Sequence, residues 1–119
     1  MNQGYKFACD AKKLSGVELV AVAGDNDTAR QRANELQVPV YADYRKLVDE
    51  LVLDGIIIAL PNQMHREAVE ICSKKCASLL VEKPIAESVT DGAKIVELCR
   101  QSKTRLLVGH HRRFSSQLN

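Results

Sequence analysis

Leu79-Leu80-Val81-Glu82-Lys83-Pro84 is a short apolar run that stops abruptly in an acid, a base and a proline. A continuous apolar stretch bounded by a chain-breaker suits a strand buried on both faces. Proline has no N–H to give to a ladder, so the strand must stop at Lys83. The charged pair Glu82-Lys83 then sits at the carboxyl end of a central strand, the edge of an open α/β sheet where ligands bind. The competing reading is that the two charges only solubilise a strand end.

Working outward, the same alternation recurs. Residues 5–14 read as a helix, with Phe7, Ala11 and Leu14 at helical spacing and Gly16 as its stop. A strand over 17–23 ends in the turn cluster Gly24-Asp25-Asn26-Asp27, where Asp27 can cap a helix carrying Ala29, Ala33 and Leu36. Residues 38–41 form a short strand that Pro39 assigns to a sheet edge, and Asp43 caps a helix with Tyr44, Leu47, Val48 and Leu51 on one face. The unalternating isoleucines of 54–60 predict a strand covered on both faces, ended by Pro61. Asn62 caps a helix running to about Cys76, which turns Ala68, Val69, Cys72 and Cys76 inward. After the strand at 79–83, Ser88-Val89-Thr90-Asp91 has the form of a capping box, opening a helix with Val89, Ala93, Val96 and Cys99 as its inner face. Residues 105–109 make the last strand, followed by His110-His111-Arg112-Arg113-Phe114. Strand and helix alternate with short turns, so the expected class is α/β. It is a three-layer, doubly wound parallel sheet of Rossmann-like form, built as a single domain over 1–119.

Composition narrows the function. The 119 residues carry 17 basic and 15 acidic side chains, net +2, too small an imbalance to expect nucleic acid or a membrane surface as partner. The apolar runs are far short of a transmembrane span. No apolar signal core stands at Met1-Asn2-Gln3-Gly4-Tyr5-Lys6, so a cytoplasmic location is expected. Cys72 and Cys76 are four apart on one helix, but no second Cys/His pair at ligand spacing accompanies them. With Cys9 and Cys99 they read as small buried hydrophobes in a reducing compartment, with neither disulfide nor metal.

Four strand ends now point to one edge: Gly24-Asp25-Asn26, Pro61-Asn62, Glu82-Lys83-Pro84 and Gly109-His110-His111. The ordered set Ala59-Leu60-Pro61-Asn62-Gln63-Met64-His65, Val81-Glu82-Lys83-Pro84-Ile85-Ala86 and Val108-Gly109-His110-His111-Arg112-Arg113-Phe114 resembles the glucose–fructose oxidoreductase/inositol dehydrogenase (Gfo/Idh/MocA) family. The resemblance runs over nearly the whole chain. It implies the dinucleotide-binding half of an NAD(P)-dependent oxidoreductase of sugars or polyols. By that resemblance Lys83 stands beside the nicotinamide and the reacting hydroxyl. An ammonium there stabilises the oxygen as it loses its proton. The resemblance also implies that a cis peptide at Pro84 shapes the nicotinamide pocket and that Glu82 holds the cofactor end of the strand. Pro61 and Asn62 match the loop along the cofactor, and His65 a helix-start position there, with a partly buried structural histidine as the competing reading. Arg112 and Arg113 match arginines near a domain junction, against an exposed basic tail.

An acid ending the second strand of such a fold accepts the adenosine ribose hydroxyls. Here Gly24 takes that place with Asp25 after it. NAD or NADP is the implied cofactor, with NAD preferred because the Asp25 carboxylate would repel a 2′-phosphate. The Gly-x-Gly-x-x-Gly loop that cradles the pyrophosphate, and the strand before it, are the departures from the family pattern. Gly4 falls at the third fingerprint glycine and Met1 at the second, so the domain is expected to be incomplete, with its usual central strand missing between 17–23 and 54–60. Unpaired sheet edges of this kind favour a homo-oligomer. The expected function is therefore an NAD(P)-dependent oxidoreductase whose nucleotide-binding part is inactive alone. The alternatives are a non-enzymatic dinucleotide-binding or regulatory module, and a truncated fold fragment stabilised by self-association.

Overall fold

A computed structural model describes residues 2–109. The chain divides into two compact units, Met1–Val52 and Leu53–Asn119.

In the first unit, helix α1 (Asn2–Lys13) precedes strand β1 (Val22–Ala23), helix α2 (Asp27–Leu36), strand β2 (Val40–Tyr41) and helix α3 (Tyr44–Glu50). β1 and β2 pair in parallel, Val22 with Val40 and Ala23 with Tyr41. α1 packs on α2, while α2 and α3 pack on the strands and bury Ala29, Ala33, Leu36, Leu47 and Val48. The strand expected over 17–23 is thus only two residues long. Among the described residues its one ladder partner is β2, and backbone without a partner makes no ladder. The cap of α2 also shifts by one. Asn26, in extended geometry, accepts from the Ala29 N–H, and Asp27 becomes the first helical residue. Asp43 caps α3 as expected, accepting from Arg45 N–H at 2.9 Å.

In the second unit, strand β3 (Gly55–Ile58) leads through a single 3-10 turn (Asn62–Met64) into helix α4 (His65–Cys72). Strand β4 (Ser78–Glu82), helix α5 (Val89–Gln101) and strand β5 (Arg105–Gly109) complete it. The order is β3-β4-β5, all parallel, with Ile58 opposite Val81 and Val81 opposite Val108. α4 and α5 pack on each other and on these strands, so they share one face of the sheet. Ile58, Leu79 and Val81 point into that layer against Ala68, Val69, Cys72, Ile95, Leu98 and Cys99, all buried. Each large aliphatic buried this way contributes about 1.5–3 kcal/mol of transfer free energy.

Three expectations change here. The opposite row of the sheet, Ile57-Leu80-Leu107, is set by register, yet Ile57 is 42% and Leu107 56% exposed, so the isoleucine run is not covered on both faces. α5 is capped by Ser88, which accepts from Asp91 N–H, but its inner face is Ile95, Leu98 and Cys99. Val89 and Val96, expected inside, are 91% and 53% exposed. α4 starts at His65 rather than at an Asn62 cap, and ends at Cys72. Buried Thr104 seals that end: its Oγ1 donates to the Ser73 carbonyl at 2.8 Å, with the Cys76 carbonyl 3.3 Å away.

Candidate functional site

The carboxyl ends of β3 and β4 carry most of the residues singled out from sequence. Beyond β3, the Pro61 carbonyl accepts from Met64 N–H at 2.9 Å and the Asn62 carbonyl from His65 N–H. These bonds fold Asn62–Met64 into a tight turn and deliver His65 as the first residue of α4. Pro61 is exposed and Asn62 half-buried on this turn. Beyond β4, half-buried Glu82 stands opposite Gly109 in the ladder, and Lys83 and Pro84 follow it at the exposed end. The Lys83–Pro84 peptide is cis, as the resemblance implied.

His65 joins the two strand ends. Its side chain is fully buried; Nε2 lies 2.7 Å from the Leu60 carbonyl and Nδ1 3.0 Å from the Ile85 carbonyl. Leu60 is the residue before Pro61, and Ile85 the residue after Pro84. A carbonyl only accepts, so each contact is a hydrogen bond when the facing ring nitrogen carries a hydrogen. The ring is committed to the chain's own backbone, as in the structural reading weighed from sequence. Next along α4, Arg66 reaches Asp91 in the first turn of α5 at 3.1 Å. Both are half-exposed, which keeps such a pair to about 1 kcal/mol or less.

The remaining candidates lie in the first unit or outside the described residues. Gly24 follows β1 directly and donates its N–H to the Tyr41 carbonyl at 2.8 Å. A Cβ built on Gly24 would stand 2.5 Å from the Ala29 Cβ. The strand end and α2 are thus too close for any side chain at 24, and a carboxylate at this turn falls to exposed Asp25. Gly4 lies in the first turn of α1. Arg112, with His110, His111, Arg113 and Phe114, lies outside the described residues. Sequence reasoning missed the Leu60 and Ile85 carbonyls, which as backbone groups leave no mark in residue identity. It also missed the contact of Gly24 with Ala29, for which two small residues at a strand–helix turn were the available signal.

The four cysteines are free thiols. Burial pushes Cys72 up to about 12, with neighbouring Cys76 adding to the shift, and burial also raises Cys76 and Cys99. Among the described residues, no cluster of three or more His, Cys, Asp or Glu could hold a metal ion. Nor is any helix among them long and apolar enough to cross a membrane.

Comparison with known proteins places this arrangement. The profile of an oxidoreductase family with an NAD-binding Rossmann fold, Gfo/Idh/MocA, matches residues 2–110. The chain belongs to the Gfo/Idh/MocA family. The inositol 2-dehydrogenase/D-chiro-inositol 3-dehydrogenase of Shouchella clausii is 34% identical over 108 residues, covering 87% of this chain and 31% of that protein. D-xylose 1-dehydrogenase (NADP(+)) 2 of Haloferax volcanii is 30% identical over 113 residues, covering 93% of this chain and 35% of that protein. Among solved structures, scyllo-inositol dehydrogenase of Lactobacillus casei with bound NAD(H) and scyllo-inositol superposes with a TM-score of 0.89 at 21% identity. That match covers 98% of this chain and 35% of the other, and bears on the fold alone. This Gfo/Idh/MocA chain spans about a third of the length of its relatives.

Proposed function

We propose that the chain is the dinucleotide-binding part of an NAD(P)-dependent oxidoreductase of sugars or polyols, in which Lys83 meets the reacting hydroxyl. The observation that carries this reading is the exposed Lys83 at the carboxyl end of β4, in a turn that His65 ties to the Pro61-Asn62 turn. The residues present suit a nicotinamide, since an exposed amine, two prolines and a carboxamide flank the end of a parallel sheet where such ligands bind. When bound, the nicotinamide supplies the acceptor for the hydride leaving the carbinol carbon. The Lys83 ammonium acts on the oxygen, where it stabilises the negative charge that develops as the proton departs. Glu82 and Pro84 fix the direction from which Lys83 approaches. Pro61 and Asn62 form the opposing wall, Arg112 and Gly4 serve the cofactor by family position, and Asp25 takes the adenosine ribose hydroxyls of NAD.

The two relatives named above, an inositol and a xylose dehydrogenase, support the sugar and polyol class. Turnover belongs in this reading to a protein of the relatives' length, and the 119 residues alone bind without turning over. The reading also places the protein in the cytoplasm and has it self-associate through its sheet edges.

Calorimetry with NAD and NADP on the 119-residue chain tests it. Sub-millimolar binding, tighter for NAD, is the expected result, and no binding of either overturns the proposal. Should polyol dehydrogenation by the chain appear and survive Lys83→Ala, the role given to Lys83 is wrong.

A further inference from the structure

His65 sets both ring nitrogens against backbone that no ladder holds. Leu60 lies beyond the end of β3 and Ile85 beyond the end of β4, so neither carbonyl is fixed by strand pairing. The chain between them, residues 61–84, runs through a 3-10 turn, α4 and β4 before it returns. Both ring nitrogens lie within hydrogen-bond distance of a carbonyl; a neutral ring donates to one of the two, and an imidazolium to both. The imidazole is rigid, so the spacing of its two nitrogens sets the spacing of the two carbonyls. Full burial leaves the ring no room to reorient. The Arg66–Asp91 pair beside it joins the start of α4 to the start of α5, so the first turn of α4 is anchored on two sides.

We propose that His65 is a positioning residue that locks the Pro61-Asn62 turn and the Lys83-Pro84 turn into one rigid edge. This rests on the dinucleotide reading of that same edge. The ring touches neither ligand nor cofactor. It fixes the gap between the wall formed by Pro61-Asn62 and the amine of Lys83, and so keeps the amine at the height where a hydroxyl can meet it. Preorganisation of this kind matters because a displacement of about 1 Å in a reacting group costs on the order of a hundredfold in rate. A residue that merely filled core volume would be replaced by an aliphatic side chain without effect on the edge.

The test uses the 119-residue chain with three substitutions. His65→Leu keeps bulk and removes both ring contacts, His65→Gln restores one amide donor, and Lys83→Ala leaves the clamp whole. Amide hydrogen exchange is followed by NMR at the non-proline residues of 60–63 and 83–86, and NAD affinity by calorimetry. In His65→Leu both segments are expected to exchange faster together and NAD to bind about tenfold more weakly. His65→Gln should recover part of the affinity and protect one segment only. Lys83→Ala should weaken binding with exchange at 60–63 unchanged. If His65→Leu does not fold, the comparison of His65→Gln with the parent decides the question by the same two readings. Exchange that changes in one segment alone, or not at all, in a folded His65→Leu overturns the proposal. So does NAD affinity within about twofold of the parent. If the parent binds neither NAD nor NADP, the dinucleotide reading fails by itself and the exchange data still decide whether the two turns are coupled.

Discussion

Gly24→Ala puts one methyl where the first unit has no space for it. The added Cβ would stand 2.5 Å from the Ala29 Cβ, against about 3.5–4.0 Å for carbons in favourable contact. Something must retreat by about 1 Å. Ala29 is only 3% exposed, and its N–H is the donor that Asn26 caps at 2.8 Å. Forcing a methyl into such packing costs about 1–3 kcal/mol. Moving the first turn of α2 away instead loosens a cap worth about 1 kcal/mol. Of the glycines whose geometry is described, Gly16 alone has positive φ, so the penalty at Gly24 is steric. About 2 kcal/mol of destabilisation is expected.

The reciprocal change supplies the control. Ala29→Gly costs about 1 kcal/mol in helix propensity and about 0.8 kcal/mol for the buried methyl. In the double variant the new methyl occupies the vacated space, so the pair should be less damaging than the sum by about 1–2 kcal/mol. Urea unfolding followed by tyrosine fluorescence reads this out selectively. The chain has 3 tyrosines and no tryptophan, and Tyr5, Tyr41 and Tyr44 all belong to the first unit. A Gly24→Ala variant within about 0.5 kcal/mol of the parent would refute the steric argument, as would costs that simply add.

Thr104→Val keeps shape but leaves the Ser73 carbonyl without its hydroxyl, and should destabilise the second unit by about 1–3 kcal/mol in urea unfolding followed by hydrogen exchange at β4 and β5. A change below about 0.5 kcal/mol would mean that the carbonyl finds another partner. Cys72, raised by burial to about 12, gives a pH signature. Its folded pKa exceeds the ordinary thiol value of 9.0, so its contribution is whole below about pH 9 and is lost as pH climbs towards 12. The urea midpoint should fall over that window less steeply in Cys72→Ala, and Cys72 should resist alkylation at pH 9 in the native chain; rapid native labelling would contradict this. Asp25→Asn removes the charge that disfavours a 2′-phosphate, so calorimetry should show the ratio of NAD to NADP affinity falling by about tenfold. An unchanged ratio would take Asp25 out of cofactor choice.

Much of this molecule was legible from local pattern. The strand at 105–109, the Ser88 and Asp43 caps, and the alternation of strand and helix are written in neighbouring residues, where period, cap chemistry and chain-breakers act over a few positions. Lys83 at a strand end was visible for the same reason, because proline at 84 stops a ladder whatever surrounds it. What depends on distant chain was not. The inner face of α5 is Ile95-Leu98-Cys99 because β5 and α4 lie against it, and an equally apolar face through Val89 and Val96 offered no local way to choose. β1 shrank to Val22–Ala23 because a strand exists only where a neighbour accepts its hydrogen bonds. His65 could be named as a site residue but not given its place. Its two partners are carbonyls 5 and 20 residues away in sequence, and backbone oxygens are the same in every residue. Sequence alone determined which groups gather at the carboxyl ends of the strands. Tertiary packing alone decided how they are held, because that depends on which backbone atoms the fold brings within reach of one buried ring.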